Sequence, residues 1–197
     1  MKNVTDDASL WNEKYKKNES NWDLNSPNPV FVELINRKEL LSTGKLLIAG
    51  CGKGYDTVAA AKAGFEVTAV DFSSFAINLT KELADKNSVN LNLVEADIFE
   101  LDNVYTEQFD IVYDYVTYCA INPERRKEYA RKISALLKVD GKLLALLFPV
   151  EKREGGPPYG ISVIEFYKNF SEFLNLELAT KNISSIRPRA GREVLHI

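Results

Sequence analysis

The sequence predicts an α/β fold in which a mostly parallel sheet of seven strands carries helices on both faces and ends in an antiparallel C-terminal edge hairpin. Short apolar runs alternate with helical stretches, which is the order of elements in parallel sheets. These runs are apolar throughout rather than alternating, as expected of strands that are buried on both faces. The last two runs have no helix between them, which favours an antiparallel pair.

Five apolar runs form the parallel part of the predicted sheet. The first follows the Thr43-Gly44 turn, the second stops at Asp71, and the third ends at an acidic Glu95-Ala96-Asp97 segment. Short apolar runs bounded by turn residues in this way are typical of strands. The five predicted strands are Lys45–Ala49, Glu66–Val70, Leu91–Val94, Phe109–Tyr115 and Gly141–Phe148.

Three helices are predicted between these strands. The first is rich in alanine and is ended by Gly64, the second begins after a serine that can cap it, and the third has proline in its first turn. They span Thr57–Ala63, Ser74–Asp85 and Pro123–Leu137. The two strands of the edge hairpin are predicted at Leu176–Ile183 and Glu193–Ile197.

Length and composition indicate one ordinary globular domain over residues 1–197, with 45% hydrophobic and 27% charged residues. The net charge of −3 lacks the basic footprint of a nucleic-acid-binding protein. The N-terminus lacks an apolar signal-peptide core, and no apolar run reaches the roughly 18 residues of a membrane span. We therefore expect a cytoplasmic monomer that binds neither nucleic acid nor membrane.

The small number of cysteines and histidines argues against several kinds of catalytic site. Cys51 and Cys119 are too few for a disulfide framework and lack the spacing of a metal knuckle. His196 is the only histidine, so neither a zinc site nor a Ser-His-Asp triad is supported, and no metal is expected. Cys119 has no histidine to activate it and is better interpreted as a small packed residue than as a nucleophile.

A glycine-rich loop is the strongest indication of a ligand site. Gly50, Gly52 and Gly54 directly follow the first strand, where the missing Cβ atoms let the backbone turn tightly against a ligand. Asp71 stands at the tip of the second strand, about twenty residues later, where a carboxylate can accept hydrogen bonds from both hydroxyls of a ribose. A plain turn is the alternative for the loop alone, but this spacing and order favour a nucleoside site.

The loop favours S-adenosylmethionine over a dinucleotide. Tyr55 stands where a third fingerprint glycine would be, and Asp56 at the helix start would repel a pyrophosphate. A methionyl sulfonium ligand has no phosphate and tolerates that carboxylate. At the third strand tip, Asp97 can accept from the adenine amino group and Ile98 can pack against the ring.

Several segments also resemble the thiopurine methyltransferase family, and most closely its branch of thiol and halide methyltransferases. These segments are IAGCGKGYD, AVDFS, FDIVYDYVTYCAINPERR, LLKVDGKLLALLFP and GGPPYGIS. The resemblance runs from Trp11 to about Arg192. It implies a Rossmann-like class I methyltransferase fold that uses S-adenosyl-L-methionine and leaves S-adenosyl-L-homocysteine.

The resemblance further implies an N-terminal cap, residues 1–30, that closes over the cofactor. It places Trp11, Tyr15 and Trp22 there as cofactor contacts, with Tyr15 standing where the family has tryptophan. The alternative is that these rings only fasten the N-terminal helix to the sheet. With the glycine loop, the expected cofactor contacts are Trp11, Tyr15, Trp22, Gly50, Gly52, Asp71, Asp97, Ile98 and Tyr115.

We expect the methyl acceptor to be a small thiol, sulfide or halide, because these nucleophiles need little or no general base. The acceptor side should lie beyond the fourth and fifth strands, with the GGPPY segment either as a lid or as a plain surface turn. Its expected catalytic residues are Tyr115, Tyr118, Tyr159 and, by the resemblance, Arg189. Asp114 is either a base or a residue that orients the loop.

Four other functions compete with this one. A thiopurine or aromatic thiol acceptor is the nearest alternative, and an NAD-binding oxidoreductase is disfavoured by Tyr55 and the scarcity of histidine. A nucleic-acid methyltransferase is disfavoured by the acidic balance of charge. A non-catalytic adenosine-binding module stays open at this stage.

Overall fold

The computed structural model describes residues 7–38 and 40–197, and that part of the chain contains seven strands and six α-helices. The strands are β1 (Lys45–Ala49), β2 (Glu66–Asp71), β3 (Asn92–Glu95), β4 (Phe109–Tyr115), β5 (Leu137–Leu147), β6 (Ala179–Thr180) and β7 (Val194–His196). The helices are α1 (Ala8–Lys16), α2 (Pro29–Asn36), α3 (Tyr55–Lys62), α4 (Ser74–Asn87), α5 (Arg126–Leu136) and α6 (Val163–Phe170).

The strands form one sheet in the order β3-β2-β1-β4-β5-β7-β6. The first five pair in parallel, whereas β7 lies between β5 and β6 and is antiparallel to both. The predicted mostly parallel sheet with an antiparallel edge hairpin is therefore confirmed. Because β1 is central, the loops after β1, β2 and β4 meet at one edge of the sheet, where α/β proteins bind ligands.

The structure differs from the predicted elements at their ends and in two helices. β5 begins at Leu137 rather than Gly141, because Phe109 pairs with Leu137 across an irregularity in the β4–β5 register. The hairpin strands are shorter than predicted. Two helices, α2 and α6, were not predicted, although each begins after a capping side chain, Asn28 and Ser162 respectively.

Both faces of the sheet are covered by apolar side chains. On one face, Phe31 of α2 stacks on Tyr113 of β4 with ring centroids 4.0 Å apart. On the other face, Tyr129 and Ile133 of α5 pack against the parallel strands and are fully buried. This double cover explains why the strands are continuously apolar.

The N-terminal helix packs against the start of α4 near the end of β2. Asp7 caps α1 by accepting from the Ser9 amide, and the Ser73 hydroxyl donates to the Asn12 side chain at 2.6 Å. Residues 1–6 of the predicted N-terminal cap lie outside the described residues. Within residues 7–38 and 40–197, no helix has the length and apolar character to cross a bilayer.

The segment 149–162, which contains GGPPY, is attached to the domain by Arg126 at the start of α5. The guanidinium of Arg126 donates to the Gly160 carbonyl at 3.2 Å and to Glu165 of α6 at 3.0 Å, and Arg126 is only 1% exposed. Its guanidinium also lies 4.7 Å from the centre of the Tyr118 ring. This buried cation therefore helps to fix the position of the segment, together with the main-chain hydrogen bond from Val150 to Arg192.

Candidate functional site

A cavity of about 550 Å³ opens at the carboxyl ends of the parallel strands. Its size is in the range of small-molecule sites, and it lies where the topology of an α/β sheet places ligands. Ten of the predicted site residues line it, namely Trp11, Tyr15, Trp22, Gly50, Gly52, Asp71, Asp97, Ile98, Tyr115 and Arg189. The sheet thus brings residues from both ends of the chain to one site.

The loop between β1 and α3 has no room for a side chain at Gly50 or Gly54. Gly50, Gly52 and Gly54 have φ angles of 66°, 57° and 82°, a region that L-residues with a Cβ rarely adopt. A Cβ on Gly50 would lie 2.2 Å from the Thr117 hydroxyl, and one on Gly54 would lie 2.9 Å from the Thr80 Cα. The loop is therefore a bare backbone surface facing the cavity.

Asp71 holds the glycine loop from the tip of β2. Its carboxylate accepts from the Gly52 amide at 3.0 Å and from the Ser73 amide at 2.9 Å. Burial raises the pKa of Asp71 to about 6, against the opposing effect of these backbone hydrogen bonds. Each carboxylate oxygen has a further lone pair, so the group can accept from the hydroxyls of a ligand.

Two other carboxylates line the same half of the cavity. Asp97 caps a short 3₁₀ helix by accepting from the Phe99 amide at 3.0 Å, and the next residue, Ile98, is buried. Asp56 accepts from the Asn28 amide at 2.6 Å, and burial raises its pKa to about 6. The tips of β1, β2 and β3 thus make this half acidic.

Aromatic side chains of the N-terminal cap form one wall of the cavity. The Trp22 ring meets Trp11 and Tyr15 edge-on, with centroids 5.3 Å and 5.7 Å away. Phe72, directly after β2, lies 6.4 Å from Trp11. Electron-rich rings in this arrangement suit a cationic ligand.

The turn after β4 is fixed by Asp114, which is not among the residues that line the cavity. Its carboxylate accepts from the amides of Thr117 and Tyr118 at 3.2 Å each, and from the Tyr129 hydroxyl at 2.7 Å. Of the two roles left open for Asp114, these contacts support orientation of the loop. Val116 in this turn has a φ of 58°, a strained conformation for a β-branched residue, and it lines the cavity.

Tyr115 belongs to a buried polar network at the other side of the cavity. Its hydroxyl donates to Glu193 at 3.0 Å and accepts from the guanidinium of Arg189. Burial, followed by the nearby Glu193 carboxylate, raises the pKa of the Tyr115 hydroxyl. Arg189 also donates to the main-chain carbonyl of Trp22 at 2.5 Å.

The structure does not bring Tyr118 and Tyr159 to the cavity. Tyr118 is buried among Tyr129, Phe166 and Phe170, and its hydroxyl accepts from Asn169 at 2.9 Å. The Tyr159 amide donates to the Cys119 carbonyl at 2.7 Å, and the neighbouring Pro157 and Pro158 face the cavity instead. The expected roles of Tyr118 and Tyr159 at the acceptor are therefore not supported by their positions.

Neither cysteine has the character of a nucleophile. Cys119 lines the cavity, but its thiol donates to the Val116 carbonyl at 3.1 Å, and burial raises its pKa to about 12. Burial also raises the pKa of the Cys51 thiol. Both thiols therefore stay protonated near neutral pH.

Two further arginines that line the cavity were not predicted as site residues. Arg153 and Arg192 join Arg189 there, and Phe148 lies 4.6 Å from the Arg189 guanidinium. The cavity is thus basic on the side of β5 and β7. The Asn28-Pro29 pair marks a helix start and could have indicated α2, but the sequence offers no indication that Glu193 joins Tyr115.

Comparison with known proteins identifies the family of the chain. Residues 6–194 match the family described as Thiopurine S-methyltransferase (TPMT). The chain is 34% identical over 189 residues to "Probable thiol methyltransferase 2" of Arabidopsis thaliana, covering 94% of this chain and 82% of that protein. It is also 34% identical over 158 residues to "Thiocyanate methyltransferase 1" of Arabidopsis thaliana, covering 79% and 68% respectively.

Solved structures agree in fold. The 1,6-didemethyltoxoflavin-N1-methyltransferase of Burkholderia thailandensis, solved with 1,6-didemethyltoxoflavin and S-adenosylhomocysteine, superposes with a TM-score of 0.73. The two chains are 22% identical, and the match covers 96% of this chain and 84% of that one. With its glycine loop and the acidic tips of β2 and β3, the chain belongs to the thiopurine S-methyltransferase family and is an S-adenosylmethionine-dependent methyltransferase.

Proposed function

We propose that the chain transfers the methyl group of S-adenosylmethionine to a small acceptor that reacts as an anion, namely a thiolate, sulfide or halide. The observation that carries this proposal is the division of the cavity into an acidic half and a basic half. The acidic half is lined by Asp56, Asp71 and Asp97, and its Lys53 is neutralised by Asp23; the basic half is lined by three arginines, two of which share Glu151. A cationic donor suits the first half and an anionic acceptor suits the second.

The residues present fit S-adenosylmethionine. When bound, this cofactor supplies an electrophilic methyl group on a sulfonium centre. Asp71 accepts from the ribose hydroxyls, Asp97 accepts from the adenine amino group, and the glycine backbone admits the methionyl part at close range. Trp11, Tyr15 and Trp22, which line the cavity, would provide aromatic rings for the cation and would shield it from water.

The basic half orients the acceptor and supplies positive charge to it, but it offers no group that would take up a proton. Arg153 and Arg192 share the single carboxylate of Glu151, so net positive charge remains on this side to attract an anion. Phe148 and Pro158 keep its surroundings dry. The only histidine of the chain, His196, lies in β7 and is not among the residues that line the cavity. The chemistry therefore depends on holding nucleophile, methyl group and sulfur in line, which accelerates displacement by proximity.

A headspace assay tests the acceptor class. Thiol turnover is expected to rise with pH toward the acceptor's own pKa, about 8.5 for a cysteine-like thiol, because the thiolate is the reactive form. Iodide and thiocyanate have no proton to lose and should show no such rise. Gas chromatography of methyl sulfides and methyl halides measures both, and an aromatic thiol tests the nearest alternative. Methylation of an amine or catechol, with no thiol or halide product at any pH, would contradict the proposal.

The affinity for S-adenosylhomocysteine is expected to fall as the pH drops through about 6. The ionised Asp71 accepts from two ribose hydroxyls, so binding favours the ionised form, and protonation of the free enzyme opposes binding. Calorimetry from about pH 8 to about pH 5 measures this loss. Asp71→Asn should remove the Asp71 part of the pH dependence, leaving only that of Asp56. Equal slopes in the two proteins would show that another group is responsible.

We further propose one methyltransferase domain over residues 1–197, with residues 1–30 as the N-terminal cap, acting as a monomer in the cytoplasm. The unpaired cysteines, Cys51 and Cys119, support a reducing compartment. Tyr115 and Arg189 keep their proposed place at the acceptor, because both line the cavity.

A further inference from the structure

Arg189 joins two parts of the cavity wall that come from distant parts of the chain. One terminal nitrogen donates to the Trp22 carbonyl in the N-terminal cap, and the other donates to the Tyr115 hydroxyl at the end of β4. Arg189 is only 5% exposed, and its guanidinium lies 4.6 Å from the centre of the Phe148 ring and 5.2 Å from that of Tyr115. At the protein surface, water would replace a broken hydrogen bond between an arginine and a carbonyl, so the break would cost little. At a buried site no water can replace the arginine as donor, so the break costs more.

Glu193 supplies the negative charge that this buried cation needs. It is 2% exposed, and its two carboxylate oxygens accept from the hydroxyls of Tyr115 and Ser185. Tyr115 therefore stands between the cation and the carboxylate, accepting from one and donating to the other. Glu193 itself is not among the residues that line the cavity, so its influence on a ligand must pass through Tyr115 and Arg189.

We propose that Arg189 and Glu193 are positioning residues that hold the N-terminal cap against the acceptor side of the cavity through Tyr115. This inference rests on the proposed function, because the cap matters for catalysis only if the cofactor lies beneath it. Removing the Arg189 guanidinium leaves the Trp22 carbonyl without its buried donor. Neutralising Glu193 leaves a buried cation without its counter-charge, which is among the more costly electrostatic changes in a protein.

The chain offers a direct probe of this contact. Its only two tryptophans are Trp11 and Trp22, and both lie in the N-terminal cap. Tryptophan fluorescence, excited at a wavelength that tyrosine does not absorb, and its quenching by acrylamide therefore report on the cap alone. Arg187 is an exposed arginine of the same segment and does not line the cavity, so Arg187→Met is the matched control.

Arg189→Met and Glu193→Gln are each expected to increase acrylamide quenching of the ligand-free protein, whereas Arg187→Met should leave it at the wild-type level. Loss of a charge-assisted hydrogen bond to the cap should also weaken S-adenosylhomocysteine binding by about tenfold in both variants. The double variant should be no more quenched than Arg189→Met, because the two residues act through one contact. Circular dichroism establishes that each variant is folded.

If folded Arg189→Met is quenched to the same extent as the wild type, the proposal is wrong. It is also wrong if quenching increases in Arg189→Met but not in Glu193→Gln. Additive effects in the double variant would also overturn it, because they would mean separate roles. If Arg189→Met does not fold, Tyr115→Phe removes only the hydroxyl between the two charges and is expected to show the same increase. Failure of the wild type to bind S-adenosylhomocysteine would refute the proposed function. Quenching of the ligand-free proteins would still show whether Arg189 and Glu193 hold the N-terminal cap.

Discussion

Asp71→Ala is expected to weaken S-adenosylhomocysteine binding by about 10- to 100-fold, because hydrogen bonds to a charged group contribute about 1.5–3 kcal/mol. Two losses combine in this variant. The ribose hydroxyls lose their acceptor, and the Gly52 and Ser73 amides lose the carboxylate that fixes the loop. Isothermal titration calorimetry at about pH 8 measures the change, since Asp71 is ionised there in the wild type.

Asp102→Ala is the matched control for this loss. Asp102 also accepts from a backbone amide, that of Val104 at 2.9 Å, but it is exposed and does not line the cavity. Its removal should leave the affinity unchanged. Asp71→Asn keeps the shape of the side chain and separates loss of charge from loss of the loop anchor. Wild-type affinity in a folded Asp71→Ala protein would remove Asp71 from the cofactor site.

Arg126→Met is expected to lower the free energy of unfolding by about 3–5 kcal/mol, the usual cost of removing one partner from a buried ion pair. The Gly160 carbonyl would lose its donor, and Glu165 would lose its cation, so both α6 and the segment 149–162 would loosen. Glu165 is partly exposed, which places the expected value toward the lower end. Urea unfolding followed by circular dichroism measures it.

The adjacent residue offers a control on the same helix. Lys127 pairs with Glu172 at 3.0 Å, and both side chains are about 60% exposed. Lys127→Met should change the free energy of unfolding by less than about 1 kcal/mol, because exposed ion pairs contribute little. Equal losses in the two variants would mean that burial of Arg126 is not what makes it important.

The parallel sheet could be predicted from the sequence because its strands leave a local pattern. Each is an apolar run that ends at a turn residue, and β1 and β4 begin and end at the predicted residues. The ends of β5, β6 and β7 could not be predicted in this way. They depend on pairing between distant segments, such as Leu137 with Phe109 and Thr180 with Leu195.

The residues of the proposed cofactor half could be predicted to meet for the same reason, since glycine spacing and acidic strand tips are local features. The residues of the proposed acceptor half were harder to predict. Tyr118 follows Tyr115 closely in sequence, but the turn fixed by Asp114 directs it into the core instead of the cavity. Glu193 reaches Tyr115 only because β7 inserts between β5 and β6, and no sequence pattern specifies that order.

The separation of acidic and basic side chains across the cavity has a consequence for the end of the catalytic cycle. Under the proposed reaction, a sulfonium cation and an anion enter, and a neutral thioether and a neutral methylated product remain. Each turnover therefore removes the charge that attracted each ligand to its own half of the site. Asp56, Asp71 and the arginines opposite them then retain both products less strongly than both reactants. The neutralisation of both reactants by methyl transfer thus favours release of the products.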